Sequence, residues 1–160
     1  GGSMMGFNIE GASTLLQLAD IPIHVQTDEA PWIQRTTGVA TDSLVLHQSG
    51  DKVAVGEIEI NLLHTPGHTP GSQCFLVENM LIAGDTLFLE GCGRTDLPGS
   101  NPEQMFESLQ LLSKLDDDVI VYPGHQYSIP KSMSMGEVRT TNYVFKPKTK
   151  DGWMQWFGGA

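Results

Sequence analysis

Cysteine is scarce in this chain: its 160 residues include only Cys74 and Cys92, and neither has a CxxC partner. Two thiols cannot build the disulfide framework of a small secreted domain, so a reduced, cytoplasmic protein is expected, with Cys74 a buried strand residue. Basic side chains are also few, 9 Lys and Arg against 19 Asp and Glu, for a net charge of −10. That balance lacks the basic patch a nucleic-acid or anionic-membrane partner needs, which leaves a small-molecule substrate as the expected partner. No apolar run approaches the roughly 20 residues of a membrane span. The opening Gly1-Gly2-Ser3-Met4-Met5-Gly6 has neither a charged nor an apolar leader region, so no signal peptide is expected there. Internal repeats and low-complexity linkers are missing too. The longest acidic run, Asp116-Asp117-Asp118, reads as a solvated turn.

What is present suits one soluble α/β domain over residues 1–160, with 39% hydrophobic residues to build its core. Ser13 is placed to cap a short helix over 14–19, residues 21–25 read as a strand with Pro22 near its start, and Asp28 is placed to cap a helix through Trp32 and Ile33. Residues 44–46 and 52–55 flank the turn sequence Ser49-Gly50-Asp51, as the arms of a hairpin would. Residues 57–62 alternate polar and apolar, and residues 73–77 and 80–83 predict two strands joined at Glu78-Asn79. Asn101 followed by Pro102 starts the clearest helix, 102–115, with Met105, Phe106, Leu109 and Leu112 on one face. An apolar strand over 119–122 ends at Pro123-Gly124. Residues 133–145 read as helical, and Trp153, Trp156 and Phe157 as an aromatic anchor.

Ligand-type side chains gather where strands end beside glycine. They stand in Leu63-His64-Thr65-Pro66-Gly67-His68-Thr69-Pro70-Gly71-Ser72, in Ala83-Gly84-Asp85-Thr86 and in Tyr122-Pro123-Gly124-His125-Gln126-Tyr127. A glycine at each place lets the backbone turn sharply, so side chains from separate strands can converge at one sheet edge. Imidazole and carboxylate donors suit zinc or iron, and an aspartate has an oxygen for each of two ions. Such ions lower the pKa of bound water, giving a metal-bound hydroxide nucleophile, and polarise a carbonyl. His24 and His47 lie inside strands without neighbouring glycine and are assigned structural roles. His64 is separated from His68 by the turn-forming Pro66-Gly67 and is assigned to support or structure.

Taken together and in order, these segments resemble the later motifs of the metallo-β-lactamase superfamily. The likeness is greatest to its glyoxalase II (hydroxyacylglutathione hydrolase) branch and to the related persulfide dioxygenases, and Gly91-Cys92-Gly93-Arg94-Thr95-Asp96 supports that placement. It spans about Gly1 to Ser128. The resemblance implies an αββα sandwich with His68 on a first metal, Asp85 bridging as the catalytic carboxylate, and His125 on a second metal. It also implies two zinc ions in the complete site. Arg94, suited to pair with a substrate carboxylate, and Tyr127, whose hydroxyl could stand near the metal, are the candidate substrate contacts. The family's first motif, His-x-His-x-Asp-His, is absent from the sequence. The fold is therefore expected to lack its N-terminal part, with the chain starting just after that motif. Hydrolysis of a thioester or related acyl substrate is the expected chemistry of the parent protein, and this chain alone is expected to be inactive. Two alternatives stand beside it: an iron persulfide dioxygenase using His68 and Asp85 without His125, and a truncated, non-catalytic binding or assembly module. An incomplete sandwich also exposes a sheet edge, which favours a homo-oligomer.

Overall fold

The computed structural model describes residues 11–158; the opening segment Gly1–Gly6, read above for a leader, lies outside them. The chain begins with helix α1 (Gly11–Leu18), strand β1 (Ile23–Gln26) and helix α2 (Ala30–Thr37). Strands β2 (Leu44–His47), β3 (Lys52–Val55), β4 (Ile58–His64), β5 (Gln73–Val77) and β6 (Met80–Gly84) follow, then the short pair β7 (Leu87–Phe88) and β8 (Gly91–Cys92). Helix α3 (Pro102–Leu112), strands β9 (Ile120–Pro123) and β10 (Met133–Ser134), and helices α4 (Met135–Thr141) and α5 (Lys150–Phe157) complete the order.

Six strands form the main sheet in the order β10-β9-β6-β5-β4-β3. Neighbours are antiparallel except β6 and β9, which run parallel, joined by the crossover that contains α3. This is the expected α/β architecture. Inner residues of α3, α4 and α5, among them Met105, Leu109, Met135, Val138 and Trp153, pack with Cys74, Leu81, Ala83 and Val121 from one face of that sheet. On its other face Ile82 and Tyr122 stand side by side in register, and both are exposed. A smaller core of Val25, Ala30, Ile33, Val39 and Leu44 holds the β1–β2 pair to α2.

Local chemistry explains much of this. The Asn101 side chain accepts a hydrogen bond from the backbone N–H of Gln104, and Pro102 sits in the first turn, so α3 starts where its sequence predicts. Met105, Leu109 and Leu112 recur at helical spacing and are fully enclosed. The β5–β6 hairpin turns at Glu78-Asn79, with Glu78 in the left-handed region at φ 53°.

Several expectations need correction. Residues 44–46 and 52–55 do not form a hairpin: β2 pairs in parallel with β1, and β3 pairs with β4 around Gly56. Ser13 lies inside α1 rather than capping it. Asp28 caps nothing, because a 3-10 turn over Thr27–Glu29 runs directly into α2. Helix α3 stops at Leu112. Residues 133–145 divide into β10, α4 and a 3-10 turn over Tyr143–Phe145. Of the aromatic trio, Trp153 is enclosed and stacks on Phe157 at 4.0 Å, whereas Trp156 is 61% exposed. Among the described residues no helix is long and apolar enough to cross a membrane.

Candidate metal centre

Three chain reversals at one end of the sheet deliver His68, Asp85 and His125 to the same place. His68 lies in the loop between β4 and β5, Asp85 directly follows β6, and His125 follows β9. Gly84 and Pro123 end the parallel β6–β9 pairing side by side, and the Gly124 N–H donates to the Gly84 carbonyl at 2.8 Å. Asp85 and His125 therefore leave adjacent strands at the same level.

The Asp85 carboxylate is the hub. Its Oδ1 contacts His125 Nδ1 at 2.7 Å, and its Oδ2 faces His68 Nε2 at 3.9 Å. His68 Nδ1 donates to the backbone carbonyl of Arg94 at 2.9 Å, which leaves Nε2 as the lone-pair nitrogen pointing at Asp85. A carbonyl on the far nitrogen is how proteins orient a metal-binding histidine. Two donors that share a tetrahedral zinc at about 2.0–2.2 Å each stand roughly 3.3–3.5 Å apart, so the 3.9 Å between His68 Nε2 and Asp85 Oδ2 is wide enough for an ion and must close by a few tenths of an ångström to hold one. Among the described residues, however, no group of three or more His, Cys, Asp or Glu side chains is disposed to enclose an ion. His125 bonds Asp85 directly rather than facing the gap that His68 faces. The donor chemistry fits a metal, and the described residues supply only part of its shell.

Glycines make the convergence sterically feasible. A Cβ on Gly93 would lie 1.9 Å from the Asp85 carbonyl oxygen and 3.0 Å from His68 Cγ. One on Gly124 would meet Gly84 backbone at 2.8 Å and Asp85 Oδ1 at 3.0 Å. The loop that carries His68 is fixed from elsewhere: Glu29 Oε2 accepts from the Gly71 N–H at 2.8 Å and from Thr69 Oγ1 at 3.3 Å.

The three donors open onto a cleft of about 490 Å³, whose further walls include Phe88, Glu90, Cys92, Arg94, Tyr127 and Tyr143. Tyr127 stacks on His125 at 5.6 Å and meets Phe88 edge-on at 5.0 Å. Arg94 reaches the cleft but is engaged, with both Nε and a terminal nitrogen donating to Asp96 at 2.9 Å. Those hydrogen bonds raise the Arg94 pKa and lower that of Asp96. Burial pushes the Cys92 thiol up to about 12, so it is no nucleophile at neutral pH.

The remaining histidines have other partners. His24 Nδ1 and His47 Nε2 are 2.8 Å apart, and His47 Nδ1 reaches Asp51 Oδ2 at 3.2 Å. His64 Nε2 donates to the Pro70 carbonyl at 2.7 Å, which closes the loop that carries His68. Asp117, from the acidic turn, pairs with Arg139. Phe88 and Glu90 lie between Asp85 and the Gly91–Asp96 segment, so local sequence marks their neighbourhood though not their role. Glu29 and Tyr143 were not singled out in the sequence, and tertiary folding brings them here.

Known proteins resemble this chain in sequence and in fold. The family model of the metallo-beta-lactamase superfamily matches residues 11–125. The probable polyketide biosynthesis zinc-dependent hydrolase BaeB of Bacillus velezensis is 36% identical over 110 residues, 68% of this chain and 49% of that protein. The hydroxyacylglutathione hydrolase of Aeromonas hydrophila is 35% identical over 99 residues, 62% of this chain and 38% of that one. Among solved structures, ETHE1 from Myxococcus xanthus superposes with a TM-score of 0.70 at 27% identity, covering 94% of this chain and 76% of its own. TTHA1623 in a di-iron-bound form gives 0.66 at 26% identity, covering 85% and 71%. The chain spans about half or less of the curated relatives it matches.

Proposed function

Since the chain belongs to the metallo-beta-lactamase superfamily, we propose that it carries the His68–Asp85–His125 portion of a metal-dependent centre that hydrolyses thioesters or related acyl compounds. The observation that supports this most is the divided Asp85 carboxylate, one oxygen facing His68 Nε2 and the other on His125 Nδ1. A carboxylate between two imidazoles could bridge two ions once His125 turned from its direct 2.7 Å contact with Asp85, and relatives named as a zinc-dependent hydrolase and a hydroxyacylglutathione hydrolase point to the same chemistry.

A bound ion would act as a Lewis acid toward a carbonyl oxygen and would make coordinated water acidic enough to attack near neutral pH. His68 and Asp85 would hold the first ion, and Asp85 with His125 the second. The Arg94 carbonyl keeps His68 in the tautomer that presents Nε2. The Asp85 and His68 side chains are largely buried, 13% and 12% exposed, so the Asp85 carboxylate acts in a poorly solvated setting. Phe88, Tyr127 and Tyr143 line the cleft with aromatic surface suited to an acyl or thioether segment. Of the two substrate contacts inferred from the sequence, Tyr127 is favoured over Arg94, whose guanidinium must first share or release Asp96.

Catalytic zinc sites use about three protein ligands per ion. Three donors from the described residues fall short of two such sites, so this polypeptide by itself should turn over no thioester. Zinc titration of the purified chain against a chromophoric chelator should show weak binding that Asp85→Ala removes, and acyl-glutathione should release no thiol above buffer. Zinc binding that is indifferent to Asp85→Ala sinks the metal assignment. Thiol release that Asp85→Ala abolishes overturns the inactivity.

One feature favours a second reading, an iron persulfide dioxygenase. His125 rests directly on Asp85 while His68 and Asp85 face each other across a 3.9 Å gap, so His68 and Asp85 would hold a single iron without His125. Metal analysis of the protein with its whole donor set separates the two, with two zinc ions per chain for hydrolysis and one iron for dioxygenation.

A further inference from the structure

Successive carbonyls in the His68 loop are each bound by α3 or the residues leading into it. Ser108 Oγ donates to the Pro66 carbonyl at 2.7 Å, the Asn101 N–H to Gly67 at 2.8 Å, and Ser100 Oγ to His68 at 2.7 Å. Gly67 is flush with the helix, since a Cβ there would lie 2.6 Å from Met105. The helix is itself braced, because Trp153 Nε1 donates to the Pro102 carbonyl at 2.7 Å. Ser100 has a second relation that the other two lack. Its Oγ also lies 3.4 Å from the Arg94 carbonyl, the group that receives His68 Nδ1–H. One hydroxyl therefore stands between the backbone of His68 and the acceptor that orients its ring.

From this geometry we infer that Ser100 is a positioning residue for His68, holding the ring in the Nδ1–H tautomer with Nε2 toward Asp85. The inference rests on the metal-centre reading for its purpose but not for its geometry. A ring oriented through a carbonyl is only as fixed as that carbonyl and as its own backbone. Arg94 itself is exposed with its side chain turned to Asp96, and although the Gly93 N–H before it donates to the Thr86 carbonyl at 3.2 Å, that bond gives the Arg94 carbonyl no direct reference to the His68 backbone. The Ser100 hydroxyl supplies that reference. Ser108, farther along α3, secures the loop but does not touch the acceptor.

The test uses the whole metal-free chain with 15N-labelled histidine, comparing Ser100→Ala, Ser100→Thr and Ser108→Ala with the parent. Long-range proton–nitrogen NMR spectra distinguish the two imidazole tautomers, and a His68→Gln sample identifies the His68 signals. The parent should show His68 as the Nδ1–H form. Ser100→Ala should give a mixture of tautomers, Ser100→Thr should restore the parent signal, and Ser108→Ala should keep it. In the chelator competition Ser100→Ala should bind zinc about tenfold more weakly, the lower end of the effect of removing a supporting partner from a metal ligand. A parent tautomer in Ser100→Ala overturns the inference, as does a mixed tautomer in the parent. If Ser100→Ala fails to fold, Ser100→Thr decides: a lost Nδ1–H form despite the retained hydroxyl refutes the role. A chain whose tautomer responds to Ser100 but which binds no zinc leaves the positioning role intact and removes the metal-centre reading instead.

Discussion

Replacing Gly93 by alanine puts a methyl group where the structure has no room for one. Its Cβ would lie 1.9 Å from the Asp85 carbonyl oxygen, where ordinary contact begins near 3.4 Å, so about 1.5 Å of separation must be found. Neither neighbour is a flexible side-chain end. One is the backbone of the carboxylate donor, and the other, at 3.0 Å, is the ring of His68. Overpacking of this kind costs about 1–3 kcal/mol, and a clash with backbone belongs at the upper end. For a chain of this size roughly 3 kcal/mol lowers the melting temperature by about 6–12 °C. A thermal melt followed by circular dichroism reads this directly, with a graded set as internal control. Gly124→Ala, whose nearest backbone contact is 2.8 Å, should fall between Gly93→Ala and Gly91→Ala, whose nearest atom is the Tyr143 hydroxyl at 3.4 Å. Weak zinc binding should fall in the same order. Gly93→Ala melting within about 2 °C of the parent, or below no other member of the series, would show that the loops do not meet as described.

Other expectations follow from the same contacts. Trp153→Ala removes an enclosed indole and its bond to Pro102, a loss of about 3–5 kcal/mol, while exposed Trp156→Ala should stay within about 0.5 kcal/mol; equal melting points refute the placement of α5. Glu29→Ala removes the charged acceptor of Gly71 and Thr69, so urea denaturation should show a loss of about 1.5–3 kcal/mol, and no loss shows that this bond does not staple the His68 loop. Cys92 has a folded-state pKa raised from 9.0 to about 12. Its contribution to stability is full below about pH 9 and is lost as pH rises toward 12, about 4 kcal/mol over the whole window. Cys92→Ala should flatten the alkaline limb of a stability–pH curve, and iodoacetamide should label the native thiol far more slowly than the denatured one.

How far the sequence reveals the molecule depends on the range of the interaction that decides each part. Asn101-Pro102 and the spacing of Met105, Leu109 and Leu112 define α3 because capping and amphipathicity act within a few residues. The turn at Glu78-Asn79 is equally local. Ser49-Gly50-Asp51 is a sound turn, with Gly50 at φ 89°, but a turn does not choose the partner of the strand before it. Parallel pairing of β2 with β1 does that, through a core shared with α2. The three donors are legible because each stands by a glycine where a strand ends. Glu29 and Ser100 act on the His68 loop from 42 and 32 residues away, and the capping signals beside them in the chain say nothing of that tie. Arg94 shows the opposite case: a charge suited to a substrate turns out to be held by Asp96, two residues on.

The parallel β6–β9 seam has a consequence for how such a centre can change over time. Asp85 and His125 are separated by 40 residues, yet their spacing is set where Gly84 and Pro123 adjoin, not by the chain that joins them. The stretches of the crossover that touch neither donor can change in length or side chains, while Gly93, which has no room for a Cβ beside Asp85, and Ser100, whose hydroxyl binds the His68 carbonyl, must keep their places. Change can accumulate in those stretches while the Asp85–His125 pair stays moored to two strands.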